Sequence, residues 1–171
     1  MNPGNAVMHQ KKRELQVAQT GLLLGMALVF QIFFARFMQP VVGPLVNMTL
    51  ILSVLMVGKQ GAMMIGFMTP MLAYILGIMP LFPVVPLVIL GNTTYVLLFD
   101  RTQRINGYVA VVISALGKFG VMTLGIQFVV PLFLPQVPSM ITTAFMFPQL
   151  YTALIGGGFA LLLYKKIPHK G

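Results

Sequence analysis

The chain has 171 residues, of which 58% are hydrophobic and 8% charged, and its mean hydropathy is +0.93. A water-soluble domain of this length has too little interior to bury so much apolar surface, so a single membrane domain over residues 1–171 is expected. The net charge of +9 comes from 11 Lys and Arg against Glu14 and Asp100 and falls in tails and short loops, as membrane topology dictates, which argues against nucleic acid as a partner.

Residues 1–18 are polar and basic and read as a cytoplasmic tail or helix. They lack the short apolar run and small-residue cleavage site of a removed signal peptide. A bundle is expected over 19–165, with 166–171 as a second cytoplasmic tail. A helical span needs roughly 20 apolar residues to cross a core of about 30 Å. Six candidates emerge, at 20–37, 44–57, 61–79, 86–99, 107–134 and 141–164, the second and fourth of them short. The fold class is all-α integral membrane, with six transmembrane helices.

The separators carry helix breakers. Gly58-Lys59-Gln60-Gly61 reads as a tight turn, and Pro80, Pro83 and Pro86 punctuate an apolar connection. Lys11, Lys12, Arg13, Lys59, Arg101, Arg104, Lys165, Lys166 and Lys170 share one side when both termini are cytoplasmic, and only Arg36 then lies outside. The external connection 80–86 is either a lid over the protein or a segment in the headgroup layer. The short spans 44–57 and 86–99 point to some irregular backbone at membrane depth, tolerated only under protein cover.

Lys118 is the only charged residue between Arg104 and Lys165. It lies roughly 16 Å along a helix from Gly107, near the midplane. A charge at that depth is expensive and marks function by default. No Asp or Glu falls within any span, so three roles stay open: pairing with an anionic ligand, being held neutral by burial, or bonding backbone carbonyls and water. Ser114, Lys118, Met122 and Gly125 share one helical face, as do Asn92, Tyr95 and Phe99, and Gln149, Thr152 and Gly156. Gln127 falls on the face opposite Lys118. With Asn47 and Gln31 these polar groups converge in the outer half of the bundle, the pattern of a small-molecule site opening outward. The competing use of such amides is as glue between helices.

The two histidines, His9 and His169, lie in the tails, and the cysteine count is zero, so neither a metal centre nor another cofactor is expected. Hydrolytic, zinc-protease and phosphate-loop motifs are absent, so the chain is not read as an enzyme or as a self-contained pump. Gly21 and Gly25, four residues apart, form a small-residue surface that lets another helix approach closely.

The stretches Gly43-Pro44-Leu45-Val46-Asn47, Gly66-Phe67-Met68-Thr69-Pro70, Leu90-Gly91-Asn92 and Pro148-Gln149-Leu150-Tyr151-Thr152-Ala153-Leu154-Ile155-Gly156-Gly157 resemble the substrate-binding S component of an energy-coupling factor (ECF) transporter. The resemblance covers about Leu15 to Lys166. It implies a multi-pass protein of a prokaryotic plasma membrane that captures a vitamin-like nutrient from outside. It also implies a transmembrane coupling subunit and two ATPase subunits as partners. The family carries alanines four apart in its first helix for docking, where this chain has Gly21 and Gly25. It further implies a lid role for Pro80, Phe82 and Pro83. Lys118, Asn92, Gln149, Asn47, Tyr95 and Arg36 are the candidate substrate-binding residues. The two cations favour a carboxylate, as in a lipoate-like acid or, second, a pantothenate-like one, with a pyridine or pyrimidine vitamin as another chemistry. The alternative from a different class is a ligand-free membrane scaffold or assembly protein.

Overall fold

The computed structural model describes residues 3–34, 39–79, 81–133 and 139–167, and every element among them is helical. Five helices are long and apolar enough to cross a membrane. Helix α1 (Pro3–Phe34) carries the polar N-terminal stretch and the first apolar segment as one rod, about 48 Å long at ~1.5 Å per residue. Helix α2 (Gln39–Ile75) is followed by α3 (Val84–Thr102) and α4 (Gly107–Leu124). A single π-helical turn, Gly125–Val129, joins α4 to the short α5 (Val130–Phe133), and α6 (Ser139–Lys166) closes the chain.

Helix α2 contains two of the expected spans. Gly58 sits inside it at φ 82, ψ 174, a conformation that favours glycine and breaks the helical path. A Cβ on Gly66 would lie 3.5 Å from the Leu50 side chain. Sixteen residues of straight helix would separate the two by about 24 Å. The halves therefore fold back on each other at Gly58, at the first residue of the expected Gly58–Gly61 turn. The first half begins at Gln39, ahead of the expected start at 44, and α3 runs at both ends beyond the expected 86–99. The irregular backbone expected from those short spans is not found in either. The π turn takes that role, where Val130 N–H donates to Gly125 O, five residues back.

The second half of α2 ends in a Schellman turn. Gly77 has φ 72, its N–H donates to Tyr74 O at 3.0 Å, and Ile78 N–H donates to Ala73 O at 2.9 Å. Helix α3 then starts at Val84 with Pro83 as its N-cap residue. Pro86 consequently falls in the first turn of α3, where a missing N–H goes unmissed, and not in a loop. At the start of α4, Asn106 Oδ1 accepts from the N–H groups of Tyr108 and Val109 at 2.8 and 3.3 Å, a side-chain N-cap.

The main core joins Leu50, Ile51, Ile65, Tyr95, Val96, Phe99, Ala110, Ala115, Ala153 and Ala160. Small alanines at the crossings let α4 and α6 approach the others closely. Along every core helix these residues lie nearer the Gly58 and Asn106 turns. The opposite ends of the same helices are left to enclose a polar cavity.

Candidate functional site

The cavity is lined by Gln31 of α1, by Val42, Gly43, Val46, Asn47, Thr69 and Pro70 of α2, by Val88 and Asn92 of α3, by Lys118 of α4, by Gln149 of α6, and by Met79 from the turn after α2. Its volume is about 60 Å³, room for roughly two water molecules.

Lys118 is 3% exposed and reaches across the bundle. Its Nζ donates to Asn47 Oδ1 at 2.6 Å and to Asn92 Oδ1 at 2.8 Å. It also lies 5.5 Å from the centre of the Tyr95 ring, within cation–π range. The arrangement adds a fourth role to the three left open by the sequence: Lys118 Nζ is bonded by side-chain amides of two other helices. The amides carry no charge, and among the cavity-lining residues none is acidic.

Each amide is itself held by its NH₂ group. Asn92 Nδ2 donates to Gly66 O at 3.0 Å, and Asn47 Nδ2 donates to Thr152 Oγ1 at 3.3 Å. Thr152 Oγ1 in turn donates to Pro148 O at 2.5 Å. Anchoring the nitrogens in this way turns both oxygens toward Lys118. Close backbone approach makes it feasible. A Cβ on Gly156 would sit 2.4 Å from Pro44 O and 2.8 Å from Asn47 Cβ, and one on Gly43 would sit 2.7 Å from Thr152 Cγ2. Glycine at both places brings α2 and α6 into direct backbone contact beside Asn47.

Lys118, Asn47, Asn92 and Gln149 are thus brought together from four separate helices. Tyr95 is not among the lining residues: its hydroxyl donates to Ala153 O at 2.6 Å in the core, and only its ring faces the ammonium, from behind. Gly157 leaves the space for that hydroxyl, since a Cβ there would be 2.6 Å from it. Arg36 and Pro80 lie outside the described residues. Phe82 is exposed and packs on Tyr74 with ring centres 5.3 Å apart, while Pro83 is half-buried at the start of α3. From this connection it is Met79 that reaches the cavity. Met79 and the turn of α2 bearing Thr69 and Pro70 are lining residues that sequence reasoning did not single out; the Gly-Phe-Met-Thr-Pro stretch was the available signal. Gln127, within the π turn, is exposed and is not among the lining residues.

Gly21 and Gly25 lie on an open face of α1, with nothing within 4 Å of a Cβ added at either. Beside them Thr20 meets α2 at Gly61, where an added Cβ would be 2.9 Å from Thr20 Oγ1. The two glycines are therefore not used for packing inside this chain.

A family model described as "ECF transporter, substrate-specific component" matches residues 15–168. No curated protein and no solved structure matches the chain. With nearly the whole length matched and several membrane-length helices in place, the chain belongs to the substrate-specific components of ECF transporters, plasma-membrane subunits that bind a small molecule, associate with coupling and ATPase subunits, and are not themselves enzymes.

Proposed function

We infer that this subunit captures a small carboxylate-bearing, vitamin-like nutrient from outside the cell, and that the carboxylate docks on Lys118 for uptake driven by the partner ATPases. The observation that carries the reading is Lys118 Nζ held in a cavity by two neutral amide oxygens, at 2.6 and 2.8 Å, with no acid among the lining residues. A carboxylate brings to Lys118 the negative charge that the neutral amides lack, and such an attraction is strong in a low-dielectric site. Nutrient-sized pockets run to several hundred Å³, so admission requires the cavity to enlarge. Met79, on the non-helical turn after Gly77, is the lining group best placed to withdraw, because it is unbranched and lies outside any helix.

The wider reading has six crossings, with α2 counted twice about Gly58, and both termini cytoplasmic. The exposed Lys59, Arg101, Arg104, Lys165 and Lys166 then share the inner face. Gly21 and Gly25 form the surface that meets the coupling subunit, and a lipoate- or pantothenate-like acid is the substrate chemistry. Native mass spectrometry of gently purified protein tests the central claim. A co-purifying small acid is expected. In the purified protein Lys118→Met should weaken its binding by about 1.5–3 kcal/mol, and an unchanged affinity would remove Lys118 from the site.

A further inference from the structure

We propose that Gln31 reads a hydrogen-bond donor on the ligand, so that the site prefers small carboxylic acids carrying a hydroxyl or amide N–H over acids with a wholly apolar tail. The inference rests on the reading that Lys118 takes the acid end.

Gln31 is 8% exposed and lines the same cavity as Lys118. Its Oε1 is buried without a hydrogen-bond partner among the described residues. Buried side-chain oxygens nearly always have one, so an orphan acceptor on a residue that lines a cavity calls for a donor from outside the chain. Its neighbours on the wall differ. Asn47 and Asn92 spend their amides on Lys118, Thr152 and Gly66, and the Thr69 hydroxyl donates to Ile65 O at 2.9 Å.

The placement on α1 sharpens the point. The next two residues, Ile32 and Phe33, are exposed and apolar, so this stretch of α1 presents hydrocarbon outward and one polar group inward. A glutamine whose buried Oε1 has no partner among the described residues is a poor choice for packing α1 onto the bundle, where Leu or Met would serve better. The lining also includes the apolar Val42, Val46, Pro70 and Val88, with Gln149 as a further polar group. A lining that holds both Lys118 and Gln31 suits a molecule that carries an anionic acceptor and an N–H or O–H donor. Sites that hydrogen-bond a substrate hydroxyl discriminate strongly against the analogue lacking it, because the site's own group is then left unpaired. A lipoate-type acid, whose body is methylenes and a disulfide, leaves Gln31 Oε1 orphaned. A pantothenate-type acid, with hydroxyls and an amide N–H, satisfies it.

The test uses the purified full-length chain in lipid nanodiscs and isothermal titration with two pairs of acids, pantothenate against lipoate and 4-hydroxybutyrate against butyrate. Wild type should bind the donor-bearing member of each pair about tenfold tighter or more. Gln31→Met, similar in length but without the amide, should abolish that preference. Equal binding within the pairs by wild type, or a preference that persists in Gln31→Met, overturns the inference. The wild-type comparison decides even where the variant is poorly folded. Failure of the acid reading has a separate signature: no acid bound by wild type, or binding unchanged in Lys118→Met.

Discussion

Pro70 and Asn92 are joined through one carbonyl group. Pro70 has no N–H, so the carbonyl four residues earlier in its helix, Gly66 O, lacks its helical donor. Asn92 Nδ2 supplies the missing hydrogen bond from α3 at 3.0 Å. That bond commits the amide nitrogen to α2 and leaves Oδ1 for Lys118 at 2.8 Å. A proline within a membrane helix thus orients a cavity side chain on a neighbouring one, as expected where freed backbone groups must be satisfied by protein.

Pro70→Ala restores an N–H at position 70 to compete for Gly66 O. The helix gains a bond and Asn92 loses its exclusive anchor. Ligand affinity should fall several-fold, by about 1 kcal/mol, while the thermal midpoint in detergent stays level or rises. Unchanged affinity would show that Asn92 keeps its orientation without help from Pro70.

Asn47→Asp changes one atom group and places a carboxylate against the Lys118 ammonium. Compensating the charge should abolish detectable binding of acids, while loss of the Nδ2 donor to Thr152 Oγ1 offsets any gain in stability and keeps the thermal midpoint near that of wild type. Calorimetry and a thermal-shift scan on the same preparation check the two effects. Retained acid binding would mean that net charge does not govern the site.

Gly156→Ala puts a methyl 2.4 Å from Pro44 O and 2.8 Å from Asn47 Cβ. Helix α6 must move away from α2, and overpacking of this kind costs about 1–3 kcal/mol. A lower thermal midpoint and weaker ligand binding should appear together, because the contact that is opened also positions Asn47. A variant as stable as wild type would show that the two helices can adjust there.

Gly21→Leu and Gly25→Leu add side chains where nothing lies within 4 Å. Stability and ligand binding by the isolated subunit should be unchanged, or slightly improved through the better helix propensity of Leu. Co-purification with the coupling subunit and nutrient uptake by cells should be lost. Normal assembly of both variants would place the partner elsewhere on the chain.

How much of the site was legible beforehand can be judged residue by residue. Lys118 stood out because a charge in a long apolar segment is rare, and Asn47, Asn92 and Gln149 because amides at membrane depth demand partners. Helical phase grouped Ser114, Lys118 and Met122 correctly, and all three are buried. Phase failed for Tyr95, which shares a face with Asn92 but lies one turn further along α3. There the face has passed from cavity to core, and the hydroxyl finds Ala153 O. Phase reports direction around one helix and says nothing of where along its length a neighbour closes in. The connection is shorter than its three prolines suggest: α3 begins at Val84 and takes Pro86 into its first turn, because proline is compatible with that position. The residue that reaches inward is Met79, carried there by the positive φ of Gly77.

Composition and charge placement by themselves determined that the chain is a membrane protein of long helices, that hydrolytic chemistry has no acid pair within the spans to run on, and which polar groups need an explanation. These follow from the cost of moving each residue type from water to hydrocarbon, a property of residues and not of their arrangement. Only the tertiary structure decided that Asn47 and Asn92 are the groups that hold Lys118, that Pro70 and Thr152 orient them, and that Gln31 Oε1 is left without a partner among the described residues. Hydrogen bonds act over about 3 Å, and the partners of Lys118 lie 71 and 26 residues away in the chain. Such distances are set by how closely glycine-bearing helices pack, which no single helix encodes.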